Sequence, residues 1–256
     1  MKNTIFDLTG RVALVTGGSR GIGKAIALGF ARAGADVFLA SRHEQELASA
    51  AEEIRRETGV RADYLATDMT NRDDVRRLAD TAATRLGRVD ILVNNAGNNR
   101  PQAIDQVTDE VWDELVELNL TSCMALTRAV APGMKERRWG RVIHISSIMG
   151  LASTSGRNVY SATKSALIGM AKASALDLGS YGITVNCLAP GPIATEMPMS
   201  ILSPEQQNAL AARTAINRWG RPDELAGPAL LLASEAGSFI TGTVLVVDGG
   251  ALARVF

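Results

Sequence analysis

The stretch that decides the fold is "RVALVTGGSRGIG", residues 11–23. Its first half is a run of β-branched and apolar residues, which predicts a buried strand. Its second half places Gly17, Gly21 and Gly23 where that strand would turn into a helix. Glycine permits a positive φ and lets a ligand approach the backbone, and the free N–H groups of a helix N-terminus attract an anion. The stretch therefore predicts a strand–turn–helix unit whose turn holds a diphosphate.

The spacing of these glycines is T-G-x-x-x-G-x-G, which differs from the common dinucleotide fingerprint G-x-G-x-x-G. A tight turn without a ligand is therefore an alternative interpretation. The position of the turn, directly after the first strand of an alternating pattern, favours the diphosphate site.

Beyond this unit, short apolar runs alternate with helical patterns along the chain, with no repeat or linker. Apolar strands separated by helices indicate a parallel sheet covered on both faces. Right-handed crossovers then give a Rossmann-like, doubly wound sheet of about seven strands in a three-layer αβα arrangement. We expect one α/β domain over residues 1–256. The predicted strands lie within residues 11–17, 36–41, 62–68, 89–97, 141–147, 183–191 and 243–250.

The helical patterns fill the intervals between these strands. They predict helices at 21–34, 44–59, 73–86, 109–137 and 160–178, an irregular segment after Pro190 and a short helix near Pro222. Small, polar or charged residues follow the strand ends: Gly17, Ser41, Asp68, Asn94, Ser146 and Pro190. Because ligands of doubly wound sheets bind beyond the carboxyl ends of the strands, we expect one site at this edge.

Composition excludes several other classes of protein. The 27 basic and 27 acidic side chains cancel, which argues against nucleic acid or an anionic membrane as a partner bound by bulk charge. Cys123 and Cys187 suggest buried apolar residues rather than a disulfide framework. No metal-ligand spacing occurs, and no apolar run is long enough to be a signal peptide core or to span a membrane. We therefore expect a cytoplasmic protein without a metal.

The second strand bears on which nucleotide would bind. Folds that prefer NAD place an acid at the end of this strand for the ribose hydroxyls, whereas here Ser41 and Arg42 follow, and Arg20 lies in the glycine turn. Two guanidinium groups and a hydroxyl would hold a ribose phosphate. NADP(H) is therefore favoured over NAD(H). The alternative is that Arg20 and Arg42 are ordinary solvated charges.

Two further strand ends are compatible with a nucleotide. Asp68 could accept a hydrogen bond from an adenine amino group, or it could cap the next helix. Asn95, Ala96 and Gly97 belong to "NNAG", a sequence that suits a turn with unusual φ and would be unremarkable as a turn alone.

The predicted helix 160–178, in the stretch that opens "NVYSATK", carries the candidate catalytic pair. Tyr160 and Lys164 lie four residues apart, so they share one face of the helix. A cation nearby favours the phenolate form of a tyrosine, and such a phenol can give a proton to a carbonyl oxygen or take one from an alcohol. A lone Tyr–Lys pair at this spacing would usually be two ordinary helix residues.

With these stretches in place, the sequence resembles the short-chain dehydrogenase/reductase family from about Phe6 to Gly250. The resemblance rests on "TGGSRGIG", "NNAG", "ELNLTS", "HISSIMG", "YSATK" and "PGPIATEM", in this order. It implies a catalytic tetrad of Asn119, Ser147, Tyr160 and Lys164. Ser147 matches the family pattern because it lies thirteen residues before the tyrosine.

The resemblance also implies individual roles. Ser147 would donate a hydrogen bond to the substrate oxygen and Lys164 would hold the nicotinamide ribose. Asn119 would lie in a kink of the long helix and hold a water that links Lys164 to solvent. The residues expected to contact the cofactor are Gly17, Ser19, Arg20, Gly21, Ile22, Gly23, Ser41, Arg42, Asp68, Met69, Asn95, Ala96, Gly97, Tyr160, Lys164, Pro190, Gly191, Ile193 and Thr195.

Together these observations predict an NADP(H)-dependent oxidoreductase that interconverts a ketone and a secondary alcohol. The opening segment is similar to gluconate 5-dehydrogenase-like members, so a sugar acid such as 5-ketogluconate is one candidate substrate, and other members reduce 3-oxoacyl thioesters. An NAD-preferring dehydrogenase and a non-catalytic nucleotide-binding scaffold are the alternatives. The polar, Met-rich segment at about 191–220 is expected to form a substrate lid, and the resemblance implies a homotetramer.

Three more groups have predicted places. Met149, Ser153 and Asn158 are candidate substrate-facing residues. Arg100 and Arg157 would either meet an anionic substrate or be solvated. His144 lies in the fifth predicted strand and is expected to be a core histidine with its hydrogen bonds satisfied.

Overall fold

The computed structural model describes residues 4–253, apart from the side chains of Thr4, Met197 and Ile201. Within them, seven parallel strands form one sheet. The strands are β1 (Val12–Thr16), β2 (Asp36–Ser41), β3 (Ala62–Ala66), β4 (Ile91–Asn94), β5 (Gly140–Ile145), β6 (Ile183–Pro190) and β7 (Val244–Val247). Their order across the sheet is β3-β2-β1-β4-β5-β6-β7. The predicted Rossmann-like sheet of seven strands is confirmed.

Nine α-helices lie in this part of the chain. They are α1 (Gly21–Arg32), α2 (Glu44–Thr58), α3 (Arg72–Leu86), α4 (Asp109–Val116), α5 (Ser122–Arg137), α6 (Asn158–Leu178), α7 (Glu196–Ile201), α8 (Pro204–Ala211) and α9 (Ala226–Ala233). The helix predicted from residue 73 begins one residue earlier, because the side chain of Asn71 caps α3 by accepting from the N–H groups of Asp73 and Asp74.

The alternation of side chains along the strands builds two cores. In β1, Val12 and Leu14 belong to one buried cluster, together with residues of α3, α5 and α6. Ala13 and Val15 point the other way, into a cluster formed with α1, α2 and α9. The sheet is therefore covered on both faces, which is the predicted three-layer arrangement.

The long helix predicted over 109–137 is interrupted by a π-helical turn, Glu117–Thr121. A π turn inserts an extra residue into the helical hydrogen-bond ladder and often marks a functional position. Asn119 lies in this turn, which is where the family resemblance led us to expect an irregularity of the long helix.

The prediction of an irregular segment after Pro190 is wrong in part, because this segment contains α7 and α8. Ser203 explains the start of α8: its hydroxyl accepts from the N–H of Gln206, whose side chain accepts from the N–H of Ser203 in return. Pro204 occupies the first turn, where its missing N–H costs nothing. None of the helices within residues 4–253 is both long and apolar enough to cross a membrane.

The topology places the site. β1 pairs with β2 on one side and with β4 on the other, so the strand order reverses at β1. The connections leaving β1 and β4 therefore diverge to opposite faces and leave a crevice at their carboxyl ends. The glycine turn follows β1 and the "NNAG" stretch follows β4, so both border this crevice.

Candidate active site

The glycine turn has the geometry of an anion cradle. Gly17 and Gly21 adopt φ values of +63° and +56°, which L side chains rarely adopt. A methyl group on Gly23 would lie 2.2 Å from the carbonyl oxygen of Gly17. Helix α1 begins with Arg20 at its N-cap, without a side-chain cap and without an acid in its first turn. Its free N–H groups and positive dipole end therefore suit a diphosphate.

Asn95 fastens this turn to the end of β4. Its Nδ2 donates to the carbonyl oxygens of Thr16 (2.9 Å) and Gly17 (3.3 Å). The hydroxyl of Thr16 accepts from the N–H groups of Asn95 and Ala96, each at 3.0 Å. Thr16 is a supporting residue that the sequence predictions did not single out; its place before the first glycine was the only signal.

Residues after β6 complete the opposite side of the crevice. Gly191 packs so tightly that a methyl group there would lie 2.7 Å from the Cα of Asp248. Ile193 is buried and bridges to Gly220. The methyl group of Thr195 would be 3.3 Å from a Cβ on Gly21. The structure thus brings Thr195, at the end of the "PGPIAT" stretch, against the glycine turn.

The adenosine end of the expected cofactor site is rich in charge. The hydroxyl of Ser19 donates to Glu46 (3.0 Å), and the guanidinium of Arg20 donates to Glu196 (3.0 Å). Arg42 is exposed. Glu46 was not predicted as a site residue, because in the sequence it reads as an ordinary acid in the first turn of a helix.

Two residues after β3 that were predicted to contact the nucleotide, Asp68 and Met69, make contacts within the protein itself. The carboxyl of Asp68 accepts from the N–H (2.9 Å) and the hydroxyl (2.8 Å) of Thr70. The Thr70 N–H is the main cause of the lowered pKa of Asp68, and the charge of Arg42 acts in the same direction. Asn71, rather than Asp68, caps α3, so the alternative interpretation of Asp68 as a helix cap is wrong. Met69 is buried within the core.

Lys164 is held rigidly at the catalytic end. It is only 4% exposed, and its Nζ donates to the carbonyl oxygen of Ile145 at 2.7 Å. The same Nζ lies 5.5 Å from the centre of the Tyr160 ring. Strand β5 therefore anchors the ammonium group, and helix α6 presents the phenol beside it.

Asn119 reaches the same place from the π turn. It is fully buried; its Oδ1 accepts from the N–H of Asn98 (2.9 Å), and its Nδ2 donates to the carbonyl oxygen of Asn98 (2.9 Å) and the hydroxyl of Thr163 (3.3 Å). A methyl group on Gly97 would lie 3.1 Å from Asn119 Oδ1 and 3.4 Å from Lys164 Nζ. Glycine at this position therefore lets the two polar side chains approach the "NNAG" turn.

The two serines after β5 have different surroundings. The hydroxyl of Ser146 donates to the carbonyl oxygen of Lys164 (2.9 Å), which ties β5 to α6. The hydroxyl of Ser147 accepts from the N–H of Met149 (3.1 Å), and this leaves its own hydrogen free to be donated. The geometry therefore agrees with the choice of Ser147 as the candidate catalytic serine.

A buried polar cluster lies beneath the catalytic end. The Nδ1 atom of His144 lies 3.1 Å from the Nδ2 atom of Asn94, which also donates to the Thr127 hydroxyl (3.2 Å). Burial lowers the pKa of His144 to about 4, and the charge of Lys164 adds to this effect. His144 is a core histidine as predicted, but it is not fully satisfied, because its Nε2 has no partner among the described residues.

On the substrate side, several polar groups follow Ser147. The hydroxyls of Ser153 and Ser161 lie 2.7 Å apart, and the side chain of Asn158 donates to the carbonyl oxygen of Gln102 (3.0 Å). Arg100 forms an ion pair with Glu114.

The cysteines and acids offer no further chemistry. Cys123 and Cys187 are buried as predicted, and burial raises the pKa of both thiols, that of Cys187 to about 12. Within the part of the chain that the structure describes, no three His, Cys, Asp or Glu residues come together as metal ligands.

Comparisons with known proteins agree with this architecture. A family model described as enoyl-(acyl carrier protein) reductase matches residues 17–251. The gluconate 5-dehydrogenase of Gluconobacter oxydans is 39% identical over 247 residues, which cover 96% of each chain. The 3-oxoacyl-(acyl-carrier-protein) reductase FabG of Vibrio cholerae is 40% identical over 244 residues, which cover 95% of this chain and 98% of that one.

A solved structure extends the likeness to three dimensions. The gluconate 5-dehydrogenase from Burkholderia cenocepacia, in complex with NADP and tartrate, matches with a TM-score of 0.93 and 38% identity, over 98% of this chain and 99% of that one. The chain therefore belongs to the short-chain dehydrogenase/reductase family, as its motifs predicted. It is an NAD(P)-dependent oxidoreductase of the gluconate 5-dehydrogenase and 3-oxoacyl reductase type.

Proposed function

We propose that the protein uses NADP(H) to interconvert a ketone and a secondary alcohol, with Tyr160 as the general acid and base. The observation that carries this proposal is the position of the Lys164 ammonium group, 5.5 Å from the Tyr160 ring and fixed by the Ile145 carbonyl. A fixed cation beside the phenol stabilises the negative charge that develops on the tyrosine oxygen as its proton is transferred. In the reductive direction Tyr160 gives its proton to the substrate oxygen, and in the oxidative direction it takes that proton back.

The glycine cradle and the uncapped start of α1 fit a dinucleotide diphosphate. When bound, its nicotinamide ring supplies or accepts the hydride. Ile193 and Thr195 hold the nicotinamide amide, and Lys164 holds the nicotinamide ribose. These assignments are supported by the packing of Thr195 against Gly21 and by the burial of Lys164 at the strand ends.

The other two tetrad residues position the reacting groups. Ser147 donates a hydrogen bond to the substrate oxygen, which stabilises the charge that develops there. Asn119 holds a water molecule between Lys164 and solvent, through which the proton on Tyr160 is replaced. The closeness of Asn119 and Lys164 on either side of Gly97 supports this placement.

For the substrate we propose a polar carbonyl compound, with a sugar acid of the 5-ketogluconate type as the first candidate. The relative from Gluconobacter oxydans is named for gluconate. The polar side chains of Ser153, Asn158 and Ser161 near the start of α6 suit hydroxyl groups better than an acyl chain. A 3-oxoacyl thioester is the second candidate, since the relative from Vibrio cholerae is named for it.

We further propose that residues 191–220 close over the substrate and that the protein is a homotetramer. This segment carries α7 and α8, and its residues Thr195 and Glu196 contact the glycine turn. Phe239 is fully exposed and Leu176 is 86% exposed. Large apolar side chains in such positions favour burial between subunits.

The experiment that tests the proposal is an assay of reduced nicotinamide consumption. NADPH and NADH are each offered with 5-ketogluconate, an acetoacetyl thioester, a diketone and an aryl ketone. We expect turnover with at least one carbonyl compound, fastest with 5-ketogluconate, and faster with NADPH than with NADH. Tight binding of NADPH without turnover of any carbonyl compound would favour the nucleotide-binding scaffold instead.

A further inference from the structure

Of the side chains expected to receive the 2′-phosphate of NADP(H), Arg20 already has anionic partners, and so does its neighbour Ser19. The hydroxyl of Ser19 donates to Oε2 of Glu46 at 3.0 Å. The guanidinium of Arg20 donates to Glu196 at 3.0 Å, and it lies 3.9 Å from Oε1 of Glu46. One carboxylate, that of Glu46, therefore contacts both groups.

Local structure explains why Glu46 lies there. β2 ends at Ser41, and the chain enters α2 at Glu44. Glu46 is in the first turn of α2, where the positive end of the helix dipole stabilises a carboxylate. The turn before α1 carries Ser19 and Arg20 to the same point. A surface pocket combines these elements and is lined by Ser19, Arg20, Lys24, Gln45, Glu46, Ser49, Ala50 and Glu196.

The charges of this pocket do not amount to a strongly positive site. Arg20 and Lys24 are its cations, and Glu46 and Glu196 are its anions. Lys24 is itself paired with Glu53 at 2.7 Å. A phosphate monoester carries a charge of about −1.5 to −2 at neutral pH. At Ser19 and Arg20 it would therefore meet donors that are already engaged and a carboxylate that repels it, whereas Arg42 is exposed and the buried hydroxyl of Ser41 has no partner among the described residues.

We propose that Glu46 is a specificity-determining residue that weakens the preference for NADP(H) over NAD(H). It does so by competing with the 2′-phosphate for Ser19 and Arg20 and by repelling the phosphate charge. NAD(H) has no phosphate at this position, so Glu46 leaves its affinity unchanged. The inference rests on the proposed use of a nicotinamide dinucleotide, and it adds the residue that sets the balance between the two cofactors.

The expected effect of Glu46 on NADPH affinity depends on how far Arg20 and Glu46 are exposed to solvent. The side chains of Arg20 and Glu46 are 56% and 40% exposed, so water and salt screen the interaction. Two unit charges about 4 Å apart in water-like surroundings correspond to roughly a fivefold change in an equilibrium constant. For a phosphate of nearly two charges, we expect Glu46→Gln to tighten NADPH binding by about five- to twentyfold. The gain should shrink at ~0.5 M salt, where screening acts over a few ångströms.

Equilibrium binding measurements test the proposed effect of Glu46 on cofactor preference without relying on turnover. NADPH and NADH are titrated into the unchanged protein, Glu46→Gln and Glu57→Gln, and bound nicotinamide fluorescence is followed at low and high salt. Glu57 is a matched control, since it lies on the same helix α2, is also 40% exposed and pairs with Arg32 away from the pocket. Adenosine 2′,5′-bisphosphate and 5′-AMP, as competitors, isolate the contribution of the 2′-phosphate. Glu46→Ala is the second variant and should change affinity in the same direction.

The expected result is tighter binding of NADPH and of adenosine 2′,5′-bisphosphate to Glu46→Gln, with NADH within about twofold and Glu57→Gln unchanged. Weaker NADH binding with no gain for NADPH would overturn the inference, because Glu46 would then be an acceptor for ribose hydroxyls. No change with either cofactor would overturn it as well. If the unchanged protein binds neither dinucleotide, the proposed function itself fails, which is distinguishable from failure of the Glu46 inference alone.

Discussion

The two ends of the crevice are built in different ways. At the catalytic end, Asn119, Ser147 and Lys164 are at most 8% exposed, and backbone groups hold each of them. At the phosphate end, Ser19 and Arg20 are held by the carboxylates of Glu46 and Glu196, and the Glu196 side chain is 74% exposed. Buried hydrogen bonds fix a geometry, whereas exposed ion pairs exchange partners at little cost. This difference is what we expect if the buried end carries out the proposed proton transfer and the exposed end sets the proposed balance between NADP(H) and NAD(H).

Outside the tetrad, we expect the largest loss of cofactor binding and of stability from a substitution in the glycine turn. Gly23→Ala places a methyl group 2.2 Å from the Gly17 carbonyl oxygen, so the turn must shift and the diphosphate cradle is lost. We expect NADPH binding to fall by more than about 100-fold and the free energy of unfolding to fall by about 1–3 kcal/mol. Calorimetric titration and urea unfolding measure the two quantities.

Gly169→Ala is the control for that substitution. Gly169 lies within α6 and a methyl group there meets nothing within 4 Å. Helix propensity then predicts an unchanged or slightly increased stability, by up to about 1 kcal/mol. If Gly23→Ala behaved like this control, the glycine turn would not be the rigid element that the comparison requires.

An effect of intermediate size, on the pH dependence of stability, is expected from the buried cluster around His144. The pKa of His144 is lowered to about 4 from an ordinary value of 6.5, so the unfolded chain takes up a proton before the folded protein does. The contribution of the neutral His144 to the free energy of unfolding should therefore be complete above about pH 6.5. It should decline by about 3 kcal/mol as the pH falls toward 4. Urea unfolding from pH 7.5 to 4 measures this decline.

His144→Gln should remove most of that decline, while the same change at the exposed His43 should leave it intact. The stability lost between pH 6.5 and 4 is the quantity compared, since the substitution itself changes stability at every pH. An equal decline in the His144 variant would mean that another group causes the acid sensitivity.

The smallest effect is expected at the phosphate end. Arg42 is exposed, so Arg42→Ala should weaken NADPH binding by only about three- to tenfold, leave NADH unchanged and lose its effect at high salt. Arg56→Ala is the control, since Arg56 is also exposed and lies on α2, the helix that follows Arg42. An effect of Arg42→Ala that was equal for both cofactors would show that this residue supports the fold rather than the phosphate.

The sequence predicted the fold well, because the strands and helices depend on local patterns, and the same patterns led us to expect the site at one edge of the sheet. Apolar runs fixed the seven strands, and the residues after them were expected at one edge of the sheet. Helices α7 and α8 were missed because six and eight residues are too few to show apolar periodicity, and of the two only α8 has a side-chain cap, Ser203. The part played by Glu46 could not be foreseen, since it depends on two elements meeting through side chains 27 residues apart. The missing partner of His144 Nε2 is likewise a property of packing rather than of pattern.

The account rests on Tyr160 as the group that transfers the proton. The most direct test compares kcat of Tyr160→Phe with that of Tyr181→Phe, which removes the same hydroxyl from a tyrosine that lies beyond the end of α6 and packs on Lys135. NADPH affinity is measured alongside for both variants. We expect Tyr160→Phe to lower kcat by about two to four orders of magnitude with NADPH still bound, and Tyr181→Phe to keep full activity. Full activity in Tyr160→Phe would contradict the mechanism.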